Sequence, residues 1–196
     1  MQIARSGLDH VRITGPSAQS ARQPTHRRTR MDTFSELERL RQRGDGQMEP
    51  GSTREAEALA RFTGFFSHLT VEAVETRLRD TYAEDVYFSD TLKTVRGLDN
   101  LMAYMRDSAE ATEDVRVEIQ ETTRTAAGDY LVRWKMMIRF KKFAKGRENW
   151  SVGMSHLRFD GDGRVAYHQD YWDAAGGMFE HVPLLGWGIS AIKNRL

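Results

Sequence analysis

Cysteine is absent from the 196 residues, which excludes disulfide scaffolds, zinc ribbons, iron–sulfur sites and thiol nucleophiles and makes the cytoplasm the default compartment. An excess of charge of either sign is also missing: 29 Lys and Arg stand against 28 Asp and Glu, a net charge of +1. Nucleic-acid modules gather a basic surplus on one face, so nucleic acid is a poor partner here. Long apolar runs are lacking. Stretches such as residues 130–134 are short and interrupted by charge, far below the roughly 20 residues of a membrane-spanning helix, and no span is expected. No Gly-x-Ser-x-Gly elbow, Gly-x-Gly-x-x-Gly or phosphate loop occurs, leaving serine hydrolysis and nucleotide binding without support. What is there, 39% hydrophobic and 29% charged residues, suits one soluble domain plus some extra chain.

Residues 1–30 carry Arg5, Arg12, Arg22, Arg27, Arg28 and Arg30 against one acid, Asp9, with no apolar periodicity. Such a composition does not bury a core. Residues 1–51 read as an Arg-rich disordered extension, a short helix and a linker. The extension fits either an acid-poor targeting peptide or translation from upstream of the true start, with Met31 as the favoured initiator. Phe34, Leu37 and Leu40 share a helical face within residues 32–43, a stretch short for an independent helix and expected to be loosely attached. Gly44-Asp45-Gly46 and Glu49-Pro50-Gly51 then punctuate the chain, placing the folded domain at residues 52–196.

Ser52 with Glu55 forms a capping box for a helix over residues 53–68, whose Leu59, Phe62, Phe66 and Leu69 recur at helical spacing. Thr70 caps a second helix with Val71, Val74, Leu78 and Tyr82 on one stripe, ending near Glu84. Val86-Tyr87-Phe88 is a short strand, and after Gly97 the residues Leu98, Leu101, Met102 and Met105 predict a third helix. From Val115 onward apolar residues alternate with polar ones, through Val132, Trp134, Met136, Ile138 and Phe140, as in half-buried antiparallel strands. Two further strands flank the Gly161-Asp162-Gly163 turn. The order is α+β: about three N-terminal helices covering one face of a long curved antiparallel sheet, with a pocket between them. The apolar tail over residues 183–196 is expected to cap the domain or meet another subunit, ahead of a short interfacial membrane anchor.

Asp90 follows the short strand at a turn, where an Asp is ordinarily structural. His168, Asp170 and Trp172 share one face of the last strand, and Tyr167, Gln169, Tyr171 and Asp173 the other; periodicity leaves open which face points inward. A buried His and Asp must pair or contact a ligand. His156, His168 and Asp170 have the residue types of a two-His-one-carboxylate metal site, but their spacing matches no specific motif. The acids at 160–163 lack the further ligands of a calcium loop. Neither metal nor cofactor is expected.

Several motifs together resemble a known family. Tyr82-Ala83-Glu84-Asp85-Val86-Tyr87-Phe88-Ser89-Asp90, then Gly97 and a helix, then Arg158-Phe159-Asp160 with a glycine turn and Arg164-Val165, then Tyr171-Trp172, is similar to the nuclear transport factor 2-like superfamily of cystatin-like fold, which includes SnoaL-like polyketide cyclases and ketosteroid isomerases. Ser155-His156-Leu157-Arg158-Phe159, the run from Tyr167 to Asp173, and His181-Val182-Pro183-Leu184-Leu185-Gly186 resemble bacterial SnoaL-like proteins more closely. The likeness covers about residues 54–196. It implies a cone-shaped α+β barrel, a homodimer through the outer sheet face, and an apolar cavity in the cone. It places Trp172 where ketosteroid isomerases keep a cavity-lining Trp, so that His168 and Asp170 line the cavity and Tyr167, Gln169 and Tyr171 face outward, and it places Asp90 at the position of their catalytic base. Desolvation there raises a carboxylate's pKa and improves it as a base. The Tyr and protonated Asp that stabilise the dienolate in those isomerases fall at Phe62 or Phe66 and at Ser155. Neither Phe can donate a hydrogen bond, which argues against efficient steroid isomerisation.

The resulting expectation is a protein that holds a small apolar molecule between Phe62, Phe66, Trp134, Met136, Ser155 and Trp172. As an enzyme it would be an isomerase or cyclase acting on a carbonyl-containing polyketide-, steroid- or lipid-like compound, with Asp90 moving a proton and His168, oriented by Asp170, as partner acid or base. Two residues apart on a strand, His168 and Asp170 have Cβ atoms about 7 Å apart, so their contact depends on rotamer or a bridging water. The alternative is a non-catalytic ligand-binding or dimerisation module.

Overall fold

The computed structural model describes residues 25–44, 46–142 and 146–174. In chain order the elements are α1 (Thr25–Gln42), α2 (Thr53–Phe66), α3 (Val71–Thr81), β1 (Tyr82–Ser89), β2 (Thr94–Arg96), α4 (Leu98–Glu110), β3 (Thr112–Arg124), β4 (Tyr130–Phe140), β5 (Asn149–Phe159) and β6 (Val165–Trp172). Local chemistry accounts for the helix starts. The Ser52 hydroxyl accepts from the Glu55 amide at 3.2 Å, and Glu55 accepts from the Gly51 amide at 2.7 Å; Thr70 caps α3 through the Ala73 amide at 3.0 Å. Gly97 opens α4 at φ +80°, a left-handed conformation that a side chain would strain.

The strands form one sheet in the order β2-β1-β6-β5-β4-β3. The expected antiparallel sheet is in fact mixed, because β1 runs parallel to β6, with Phe88 beside His168. The long crossover from β1 through α4 and the β3–β4–β5 meander returns the chain beside its start in the same direction, as parallel pairing requires. Register shifts in β1 and in β3 between Ile119 and Glu121 bend the sheet. Its concave face is covered by α2, α3 and α4: Phe62 and Phe65, Val74 and Leu78, and Leu98 and Leu101 bury against Val86, Phe88, Val132, Trp134, Leu157 and Phe159. Each such side chain contributes about 1.5–3 kcal/mol on burial. This is the α+β cone.

Helix α1 differs from the loosely attached short helix expected. It is 18 residues long and lies on the convex face of the sheet, where Leu37 and Leu40 bury against Ala83, Tyr87, Ala166 and Tyr167. Polar anchors fix it. The fully buried Asp129 accepts from Arg158 at 2.7 Å, from Arg41 of α1 at 2.5 Å and from His156 at 3.1 Å. Glu36, also buried, pairs with Arg39 and with Arg96 at 2.6 Å. Phe34, by contrast, is exposed. The readings of the extension over residues 1–24 and of the tail over residues 175–196 lie outside the described residues. Among the described residues no helix is long and apolar enough to cross a membrane.

Candidate active site in the cone

Between α4 and the concave face lies a cavity of about 250 Å³, walled by Phe66, Leu69, Phe88, Tyr104, Met105, Val117, Trp134, Met136, Ile138, Phe140 and Trp172, with Asp90 and Asp170 also lining it. Strand alternation brings them there. On β4 the residues Trp134, Met136, Ile138 and Phe140 point inward, and on β6 the inward set is His168, Asp170 and Trp172. Gly153 on β5 makes room for both tryptophans. A Cβ at Gly153 would overlap the Trp134 ring and fall 2.8 Å from Trp172 Cβ.

Asp170 is the inner end of a buried chain of hydrogen bonds. Its Oδ1 accepts from the Ser155 hydroxyl at 2.5 Å and from His168 Nε2 at 2.8 Å. Trp134 Nε1 donates to Ser155 Oγ at 2.9 Å, and Tyr82 Oη lies 2.9 Å from His168 Nδ1. Tyr82, Ser155 and His168 are all fully buried. The donors and acceptors close without a stranded proton when Asp170 is ionised, His168 is neutral with its proton on Nε2, and the Tyr82 hydroxyl donates to Nδ1. Burial and the nearby Asp170 charge hold the Tyr82 phenol well above its ordinary value, so it stays a donor. No bridging water is needed between His168 and Asp170.

Asp90 occupies the turn after β1. Its Oδ1 accepts from the Leu92 and Lys93 amides at 3.0 and 2.9 Å, an Asx turn, and its Oδ2 accepts from the Tyr104 hydroxyl. Thr91 follows at φ +77°, a left-handed conformation uncommon outside glycine. The turn is fastened to β6 by Trp172 Nε1, which donates to the Asp90 carbonyl at 2.7 Å, and by the Thr91 hydroxyl, which donates to the Asp170 carbonyl at 3.2 Å. Burial pushes the Asp90 carboxyl above the ordinary carboxylate value. Hydrogen bonds from Tyr104 and the turn amides pull it partly back, and the Asp170 charge raises it again. Tyr104 is raised in turn, by burial first and then by Asp90.

Of the residues singled out in the sequence, Asp90, Asp170, Phe66, Trp134, Met136 and Trp172 line the cavity. Phe62, Ser155 and His168 do not: they form a layer behind it. Phe62 stacks on Phe66 at 5.1 Å and meets the His168 ring edge-on at 5.6 Å, while Ser155 sits beneath Trp134 and Asp170. His168 therefore reaches the cavity only through Asp170. His156 is turned to the opposite face of the sheet, against Asp129 and Tyr167, and does not converge with His168. Among the described residues no group of three or more His, Cys, Asp or Glu is placed to hold a metal ion.

Two polar aromatics of the site carry no functional mark in the sequence pattern. Tyr104 is one residue short of Met105 on α4 and lies three after Leu101, a spacing that puts it on the edge of the buried stripe with its hydroxyl free to reach Asp90. Tyr82 looks like the last apolar residue of a helix but opens β1.

A model of the SnoaL-like domain matches residues 62–168, over half the chain. The chain belongs to the SnoaL-like domain family. The matched segment of this SnoaL-like domain contains Asp90, Tyr104, Trp134, Ser155 and His168 and stops just short of Asp170 and Trp172. No curated protein matches the sequence significantly. Solved structures share the fold. A protein of ketosteroid isomerase-like fold from Catenulispora acidiphila, in complex with trimethylamine, has a TM-score of 0.55 at 16% identity over 67% of this chain and 96% of its own. A candidate SnoaL-like polyketide cyclase from Jannaschia has a TM-score of 0.51 at 15% identity over 64% and 90%. An M. tuberculosis LEH-like epoxide hydrolase has a TM-score of 0.52 at 17% identity over 75% and 100%. Identities this low carry the SnoaL-like fold and no particular chemistry.

Proposed function

We propose that this SnoaL-like domain binds a small, largely apolar carbonyl compound of polyketide-, steroid- or lipid-like character and shifts a proton on it, as an isomerase or cyclase. The observation that carries the reading is the pair of carboxylates, Asp90 and Asp170, facing one apolar cavity. Asp90 is the base. Its desolvated carboxylate takes a proton from the carbon next to the carbonyl, leaving an enolate, and returns it to another carbon of the same conjugated system. Once Asp90 is protonated, the Tyr104 hydroxyl loses its charged acceptor and can turn its own proton to the enolate oxygen, the donor role that Phe62 and Phe66 cannot fill. Asp170 touches the ligand from the neighbouring strand β6, beside Asp90, and His168, Ser155 and Tyr82 position it.

The test is deuterium incorporation next to the carbonyl for a panel of β,γ-unsaturated ketones and β-diketones in D₂O. The native protein should accelerate it, Asp90→Asn should lose about 10²–10⁴ of that acceleration, and no acceleration with any ketone would refute the assignment. A non-catalytic ligand carrier is favoured by one specific observation: Asp90 is already engaged by the two turn amides and Tyr104. On that reading ketones bind and exchange is unchanged. A homodimer is proposed on the convex face, supported by Trp150, Val152 and Tyr171, which stay exposed there.

A further inference from the structure

We infer that the cavity recognises a cation, a tertiary or quaternary N-methylated amine carried by its ligand, held between the Asp170 carboxylate and the aromatic walls. The inference deepens the cavity reading above and rests on it. Its starting point is an imbalance of charge. Two carboxylates line the cavity and no Lys, Arg or His side chain does so among the described residues. Lys93 is exposed and stands over the Tyr104 ring, 5.0 Å from its centroid, without entering the lining. His168 is behind the wall and, as the hydrogen bonds assign it, neutral.

The second observation is an oxygen with nothing to hold. Asp170 is only 6% exposed, and its Oδ1 takes both the Ser155 hydroxyl and His168. Oδ2 has no hydrogen-bond partner among the described residues, and the side chain lines the cavity. Trp134, Ser155, His168 and Tyr82 thus fix the carboxylate from behind and leave its free oxygen toward whatever enters. That oxygen opens on the cavity, where a ligand of opposite charge would compensate an anion held away from bulk water.

The walls choose among cations. Phe66, Phe88, Tyr104, Trp134 and Trp172 all contribute rings to the lining, and ring faces attract a cation most strongly where water is excluded. A primary ammonium or a guanidinium brings several N–H donors, each needing an acceptor, and beside the two carboxylates the lining offers the Tyr104, Ser108 and Thr112 hydroxyls, each already in a hydrogen bond within the protein. An N-methylated amine needs only the carboxylate and apolar contact. In the proposed chemistry Asp170 would hold the amine while Asp90 handles the proton, so the substrate class becomes an amine-bearing carbonyl compound.

Phenyltrimethylammonium and its carbon isostere tert-butylbenzene differ in charge and hardly in shape. Their affinities for the native protein, followed by quenching of tryptophan fluorescence, test the inference without any variant. The cation should bind at least about tenfold more tightly, and Asp170→Asn should remove that preference while leaving the isostere's affinity in place. Equal or tighter binding of tert-butylbenzene overturns the cation assignment and leaves the apolar-ligand reading standing. A preference that survives in a folded Asp170→Asn protein overturns the role of Asp170. If neither probe binds, the cavity reading fails and this inference with it.

Discussion

Replacing Asp129 by Asn is the perturbation whose magnitude follows most directly from the structure. The carboxylate is fully buried and is held by Arg158, itself 1% exposed, and by Arg41 of α1 and His156. Burial by itself would raise its pKa; the hydrogen bonds from His156, Arg41 and Arg158 outweigh burial and hold it at about 2, against an ordinary 3.8. At about 1.36 kcal/mol per pH unit, that depression is worth about 2 kcal/mol of stability at neutral pH. The sign follows from the direction. A group held lower in the folded state contributes fully above 3.8 and loses its contribution as the pH falls toward 2, with about half remaining at pH 3. Asp129→Asn also takes the carboxylate away from the buried Arg158, which keeps its bond to the Ala127 carbonyl, so the total cost at pH 7 should reach about 3–5 kcal/mol. Urea unfolding of both proteins at pH 7 and pH 3 reads this out, since the difference between them cancels the titrating groups that Asp129 does not touch. The gap should narrow by about 1 kcal/mol at pH 3. A gap that stays constant between the two pH values, or a variant as stable as the native protein, would refute the assignment of Asp129 as the ionised clasp of α1.

Ser155→Ala should cost about 1–3 kcal/mol, because Trp134 Nε1 and Asp170 Oδ1 both lose a buried partner, and thermal unfolding with tryptophan emission checks it. Gly153→Ala should shift Trp134 or Trp172 and shrink the cavity, losing about 1–3 kcal/mol by overpacking; near-native stability and probe affinity would count against the packing described. Tyr104→Phe removes a hydrogen bond that stabilises the ionised form of Asp90, so the Asp90 midpoint should rise further, which a pH titration of its carboxyl signal detects.

Much of the fold is legible in local pattern. Period-two alternation in β4 and β6, the Ser52 and Thr70 caps and the left-handed glycine before α4 each depend on neighbours within a few residues. The parallel pairing of β1 with β6 does not: Phe88 and His168 are 80 positions apart in sequence, and strand periodicity is blind to a partner's direction. The docking of α1 was hidden for a similar reason. Leu37 and Leu40 make a modest stripe, while the ion pairs that fasten it join Arg41 to Asp129 and Glu36 to Arg96. Within the site, alternation groups His168, Asp170 and Trp172 but says nothing of depth, and depth separates Asp170 at the wall from His168 and Ser155 behind it. Tyr104 is hard to single out because an aromatic on an apolar helical stripe reads as core, and only the tertiary fold brings its hydroxyl to Asp90.

Asp90 as a desolvated base sharing its cavity with the charge of Asp170 is the centre of the proposed chemistry. A carboxyl-carbon NMR titration of Asp90, in the native protein and in Asp170→Asn, measures it directly. The midpoint should lie above the ordinary 3.8 and should fall when the Asp170 charge is removed. A native midpoint at or below 3.8, or one indifferent to Asp170→Asn, would contradict it.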